Sequence, residues 1–184
     1  MTQPIYKLKV SLQGAKPPIW RRIEVRGDTP LDRLHWIIQV AMGWEGGHLY
    51  EFAIRGLKYT DAETASLDGD ETASAATLGA LIRRPGTHFT YTYDFGDNWE
   101  HKVFVEDLSE PEAEVQYPRC IAGRRACPPE DIGGVWGYEE LLAALKDPTN
   151  PEYGELLEWV GVDFDPAAFD LEGIQQELQG MQQR

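Results

Sequence analysis

From Ile5 to Leu12 the chain alternates, with Tyr6, Leu8, Val10 and Leu12 on one face and Lys7, Lys9 and Ser11 on the other. A period of two with one apolar side is the pattern of a half-buried strand. Gly14 to Pro18 interrupts it, and Ile19, Arg21, Ile23 and Val25 resume it, which predicts a hairpin with Pro17 and Pro18 in its turn or on an edge. The period then lengthens. Leu31, Leu34, Ile37, Ile38, Ala41 and Met42 recur at helical spacing, Thr29-Pro30 offers an N-cap and a first-turn proline, and Gly43 offers a stop. A third strand is expected from about 48 to 54, with Tyr50, Phe52 and Ile54 on one face. A second hairpin follows: Phe89, Tyr91 and Tyr93 alternate with His88, Thr90 and Thr92, Asp94 to Asn98 make the turn, and alternation returns from Trp99 to Val105.

Between these elements the pattern fails. Residues 60 to 76 hold five acids, no Lys or Arg, and many Ala, Ser and Thr, and so read as a mobile loop. Residues 77 to 82 suit a short helix, 106 to 114 an acidic loop, and 117 to 137 a loop dense in Pro, Gly and Cys. Helices are expected at 138 to 146, 152 to 160 and 166 to 179, the last started by Asp165-Pro166. The resulting expectation is an α+β fold: a mixed, largely antiparallel sheet of about five strands in a β-grasp-like β-β-α-β order, one helix packed across it, and a helical C-terminal part. A single domain spans 1 to 184, with the sheet and first helix in 1 to 106 and the loop and helical part in 117 to 180.

Charge sharpens this picture. The net charge of -14 is uneven. Residues 1 to 58 carry nine Lys and Arg against five acids, 59 to 127 six against thirteen, and 128 to 184 two against thirteen. So acidic a C-terminal third repels phosphate backbones, which argues against nucleic acid as a partner. No stretch approaches the roughly eighteen consecutive apolar residues of a membrane span, and the N-terminal residues lack a basic segment followed by an apolar run. The expectation is a cytoplasmic protein, away from the membrane, with Cys120 and Cys127 as thiols. Nothing in the pattern specifies an oligomeric state.

Three segments carry candidate chemistry. In the turn Tyr93-Asp94-Phe95-Gly96-Asp97-Asn98-Trp99-Glu100-His101, carboxylates and an imidazole gather around a glycine. Asp94 and Asp97, three apart across a turn, suit one cation, and His101 could add nitrogen. Asp, Asn and Gly are also the residues a tight turn prefers for its own geometry. The second segment runs from Cys120 to Gly134. Its six residues between Cys120 and Cys127 are looser than the two to four of common zinc knuckles. His48 or His101 could complete a mixed site for a divalent metal such as zinc, with Asp97, His101, Cys120 and Cys127 as the ligand set. The third is the N-terminal hairpin, where Trp20 stands beside Arg21 and Arg22 and could stack on a base or grip an acidic partner.

Taken together, Ile19-Trp20-Arg21-Arg22, Ala41-Met42-Gly43-Trp44, His48-Leu49-Tyr50-Glu51-Phe52, the Tyr93 to His101 turn, Cys120 to Gly134 with Gly137-Tyr138, and Phe164-Asp165-Pro166 to Phe169-Asp170 resemble the plasmid pRiA ORF-like family. That family is often labelled a TnpR-like passenger of insertion elements, and the likeness covers nearly the whole chain. It implies an α+β fold and one surface shared by the turn, the Cys120 to Gly134 loop and His48, without naming an activity. A serine recombinase would need a nucleophilic serine flanked by arginines and a basic tail, whereas Ser11 lies in a plain alternating strand and the tail is acidic. The label therefore reads as genomic neighbourhood.

The leading expectation is a binding or interaction domain, associated with mobile elements, that recognises a protein or small-molecule partner through Tyr93, Asp94, Asp97, Trp99, His101, His48, Glu130 and Asp131. The alternative is a metal-dependent, hydrolase-like enzyme using the Asp94 to His101 turn and the Cys120 to Asp131 loop. The shared pocket requires His48, Asp97, His101 and Cys127 to converge.

Overall fold

The computed structural model describes residues 3–181. Strands β1 (Ile5–Leu12) and β2 (Trp20–Arg26) form the expected first hairpin, in register from Ile5 opposite Arg26 to Ser11 opposite Trp20. The free edge of β1 takes β7 (Trp99–Ser109), which is the hairpin partner of β6 (His88–Tyr93). Strand β3 (Tyr50–Ile54) pairs with β6, and β4 (Leu57–Thr60) and β5 (Glu71–Thr72) extend that side. Strand β8 (Arg119–Arg124) covers β2 at the other end. The sheet therefore has eight strands in the order β5-β4-β3-β6-β7-β1-β2-β8, and only β4 and β5 run parallel. Five strands in a β-grasp-like order are not what forms, because β3 joins the second hairpin and three further strands build the edges.

The added strands lie where the apolar pattern is weakest. Residues 60 to 76, expected as a loop, hold the end of β4, helix α2 (Ala62–Asp68), β5 and a single 3-10 turn. Asp61 caps α2 by accepting from the amides of Glu63 and Thr64, both at 3.0 Å, and Thr60 donates to the Tyr50 carbonyl at 2.6 Å. Caps and edge pairing replace the missing apolar surface. The acidic stretch after Val105 begins as strand, since β7 continues to Ser109 and Glu106 takes a two-pronged bond from Arg22 at 2.6 and 2.9 Å. Within the expected 117 to 137 loop, β8 is pinned by Arg119 donating to Glu24 at 2.6 Å.

Helix α1 (Leu31–Met42) crosses the buried face and stops at Gly43, whose φ of 98° is left-handed. Its cap position is Pro30, with no side-chain cap bond; Thr29 instead accepts the Leu78 amide through its carbonyl, from helix α3 (Leu78–Leu81). A polar chain runs between α1 and the sheet: Gln39 Nε2 donates to the Tyr91 hydroxyl at 2.8 Å, and that hydroxyl lies 2.7 Å from Nδ1 of His35, which stacks on Tyr50 at 3.8 Å. Arg21, 2 % exposed, ties β2 to the end of α1, donating through Nε to Ala41 at 2.6 Å and through Nη1 to the carbonyls of Trp20 and Arg124. The negative end of the helix dipole compensates this charge, in the absence of a carboxylate partner among the described residues.

Three helices follow the sheet: α4 (Gly134–Ala144), α5 (Tyr153–Val160) and α6 (Leu171–Gly180). Helix α6 starts later than Asp165-Pro166, at a cap formed by Asp170, which accepts from the Gly173 amide at 2.9 Å. It lies along β8, where Gln175 accepts the Cys120 amide at 3.0 Å. No helix among the described residues is long and apolar enough to cross a membrane.

Candidate functional site

The site stands at the end of the sheet where β3 begins and β6 ends. Tyr93 and Trp99 are paired, so Asp94 to Asn98 form a five-residue turn. Asp94 and Asn98 both have φ of 54°, a left-handed conformation that Asp and Asn tolerate. Oδ1 of Asp94 accepts the Gly96 amide at 2.8 Å, and the Asp94 carbonyl accepts the Asn98 amide at 2.6 Å. The Asp94 amide donates to Leu49 at 2.8 Å, which brings His48 beside the turn.

The loop before α4 docks on the same turn. Oδ2 of Asp97 accepts the Gly133 amide at 3.2 Å. A Cβ on Gly134 would lie 2.3 Å from the Asp97 carbonyl oxygen, and Gly134 has φ of 69°, so only glycine permits this approach. Glu130 accepts the Tyr93 hydroxyl at 2.5 Å through one oxygen and the Glu45 amide at 3.1 Å through the other. Burial, followed by the Glu130 carboxylate, pushes the Tyr93 phenol well above its ordinary pKa, so it remains a donor. Trp44 Nε1 donates to Pro128 at 2.9 Å. His48 faces two carboxylates, with Nδ1 3.8 Å from Asp94 and Nε2 3.3 Å from Asp131.

His48, Tyr93, Asp94, Asp97, Glu130 and Asp131 thus come together, and His101, Trp99 and the cysteines do not join them. His101 points into the core between Tyr91 and Trp44, at 5.4 and 5.3 Å between rings, and is wholly buried. Burial lowers its pKa to about 4, so it is neutral at pH 7. Trp99 is equally buried, below the turn. Both thiols are pushed up by burial, with Arg21 offsetting only part of the effect, so they rest as neutral thiols. Cys120 donates to Ala122 at 3.6 Å. The expected metal set of Asp97, His101, Cys120 and Cys127 therefore does not assemble. Among the described residues, the His, Cys, Asp and Glu side chains close enough to share one ion are His48, Asp94 and Asp131, whose ligand atoms lie within 4.8 Å of one another.

The basic N-terminal hairpin is also spent internally. Arg22 is held by Glu106 and lies 5.2 Å from the Trp20 ring, while Arg21 is buried. Sequence reasoning missed Glu45 and Trp44 as supports of the loop. Trp44, directly after the helix stop, carried the only hint, since Glu45 contributes through its backbone.

Electrostatically, Asp94 and Asp131 face the His48 imidazole, Asp97 and Glu130 stand on the adjoining turn and loop, and among the described residues none of the four is ion-paired to Lys or Arg. Such a group attracts cations. Leu49, Phe95 and Trp136, 50, 49 and 81 % exposed, are close in sequence to its members.

Fold and site define a single-sheet α+β domain with an acidic, imidazole-bearing cluster at one end of the sheet. The chain belongs to the plasmid pRiA4b ORF-3-like protein family, whose model matches residues 4–173. It is 39 % identical over 170 residues to the uncharacterised protein y4hQ of Sinorhizobium fredii, covering 91 % of this chain and 87 % of that one. It is similar to the crystal structure of a protein of unknown function, MM3350 from Methanosarcina mazei Go1, with 40 % identity, a TM-score of 0.86, and coverage of 94 % of this chain and 98 % of the other. These relatives are uncharacterised, so the likeness assigns family and fold without an activity.

Proposed function

We propose that the chain is a binding domain that captures a positively charged group in the cleft between the Asp94 to Asn98 turn, the Glu130 to Gly134 loop and His48. The observation that supports this reading is the gathering of four carboxylates without a Lys or Arg partner among the described residues. Like charges so placed repel one another, and an incoming cation relieves that repulsion. Leu49, Phe95 and Trp136, neighbours in sequence of these residues, are exposed, which suits a basic segment with apolar neighbours. The reading requires no nucleophile, in keeping with two thiols that stay protonated.

The test is the affinity of a short arginine-containing peptide for the wild type, Asp131→Asn and Glu158→Gln. Asp131 belongs to the cleft, whereas Glu158 is exposed on α5. Binding weakened severalfold by Asp131→Asn and unaffected by Glu158→Gln supports the reading. Equal weakening by both would mean that only the overall acidity of the chain attracts the peptide.

A further inference from the structure

We infer that the cationic occupant of this cleft is a divalent metal ion held by His48, Asp94 and Asp131, an inference that rests on the cation-binding reading above. The three side chains come from separate parts of the chain, and each places one ligand atom within 4.8 Å of the other two. Metal bonds of about 2.0–2.2 Å would draw such atoms closer by roughly an ångström. Asp131 can supply that movement, because its side chain is 73 % exposed.

The setting of Asp94 agrees with this. The residue is 8 % exposed. Oδ1 is occupied by the Gly96 amide, but Oδ2 accepts no hydrogen bond among the described residues and faces His48 at 3.8 Å. That gap is too long for a hydrogen bond, which leaves Oδ2 open to a ligand. An ion between the two groups would satisfy it.

The supports around the ligands are already in place. The His48 amide donates to the Tyr93 hydroxyl at 3.4 Å, and the Asp94 amide donates to Leu49, so both ligands sit on fixed backbone. Glu130 is turned toward Tyr93 and Glu45, where it adds negative potential without competing for the ion. Nδ1 lies nearer Asp94 and Nε2 nearer Asp131, so the exposed Asp131 side chain turns to bring both carboxylates to the one nitrogen that ligates. A set of one nitrogen and two carboxylates, with no thiolate, suits Zn2+ or Mn2+ better than a thiophilic ion such as Cu(I).

The experiment uses the full chain, purified without a metal-affinity step and dialysed against chelator. Zn2+ is titrated by calorimetry, and Mn2+ is followed by the broadening of backbone amide signals. The expected result is one equivalent of Zn2+, with Mn2+ broadening confined to residues near His48, Asp94 and Asp131. His48→Ala and Asp131→Asn should each weaken Zn2+ at least about tenfold. Asp131→Asn is the safer variant for the fold, since the side chain is exposed and Asn tolerates the left-handed φ of 59°. Zn2+ binding unchanged by both variants, or Mn2+ broadening spread over the acidic helices, would overturn the inference. If neither ion binds in the cleft but an arginine peptide still perturbs the same amides, the metal is wrong and the cation-binding reading stands.

Discussion

Tyr93 donates its hydroxyl to Glu130 at 2.5 Å, joining the end of β6 to a loop 37 residues further along the chain. The same hydroxyl accepts the His48 amide at 3.4 Å, so one phenol positions both walls of the cleft. Tyr93→Phe keeps the ring and removes that joint, leaving Glu130 with the Glu45 amide alone. The expected cost is about 1–3 kcal/mol, read as a lowered urea midpoint, because a charged acceptor loses its donor. An unchanged midpoint would show that the loop is held elsewhere.

Gly134→Ala tests the docking of the loop on the turn. The added Cβ would sit 2.3 Å from the Asp97 carbonyl, at a positive φ. The expected outcome is a destabilisation of about 1–3 kcal/mol together with weaker peptide binding. Retention of both affinity and stability would contradict the close approach.

Acid should destabilise the fold through its buried histidines. Burial lowers His35 to about 3 and His101 to about 4. Their unfolded values are about 6.5, so between about 4 and 6.5 the unfolded chain binds more protons than the folded one. Stability is therefore full above about pH 6.5 and falls as the pH drops toward 4. For His35 there is also a local reason: protonating Nδ1 removes the acceptor facing the Tyr91 hydroxyl, which already accepts from Gln39. Urea midpoints at pH 7.5 and 5.0 measure this, and His35→Gln should flatten the difference. Equal midpoints in the wild type would contradict it.

Two adjacent arginines should respond differently to the same change. Arg21→Lys replaces a planar fork that reaches three carbonyls with a single ammonium and should cost about 1–3 kcal/mol. Arg22→Lys alters a part-exposed ion pair with Glu106 and should cost less than about 1 kcal/mol. Thermal denaturation of both variants gives the comparison, and a reversed order would refute the structural role given to Arg21.

The two hairpins and α1 were legible because large apolar residues alternate or recur along them. The β-strand at 119 to 124 was hidden, since Cys120 is its only fully buried residue and the rest of its hold comes from Arg119, Glu24 and edge pairing. The meeting of the turn with the 130 to 134 loop followed from a family likeness and had no local signal. His101 is the instructive error. Its parity with Trp99, Val103 and Val105 already placed it on the core face of β7, opposite Tyr91. The alternation along β7 outweighs nearness in sequence to Asp97.

The central claim is that the cleft around His48, Asp94 and Asp131 receives a cation. The most direct measurement is the backbone amide chemical-shift map of the labelled chain, titrated with an arginine peptide and separately with Zn2+. The account predicts that shifts from at least one of them cluster at residues 47 to 50, 93 to 98 and 130 to 134. Shifts absent from those segments with both cations, or confined to the acidic helices from α4 to α6, would contradict it.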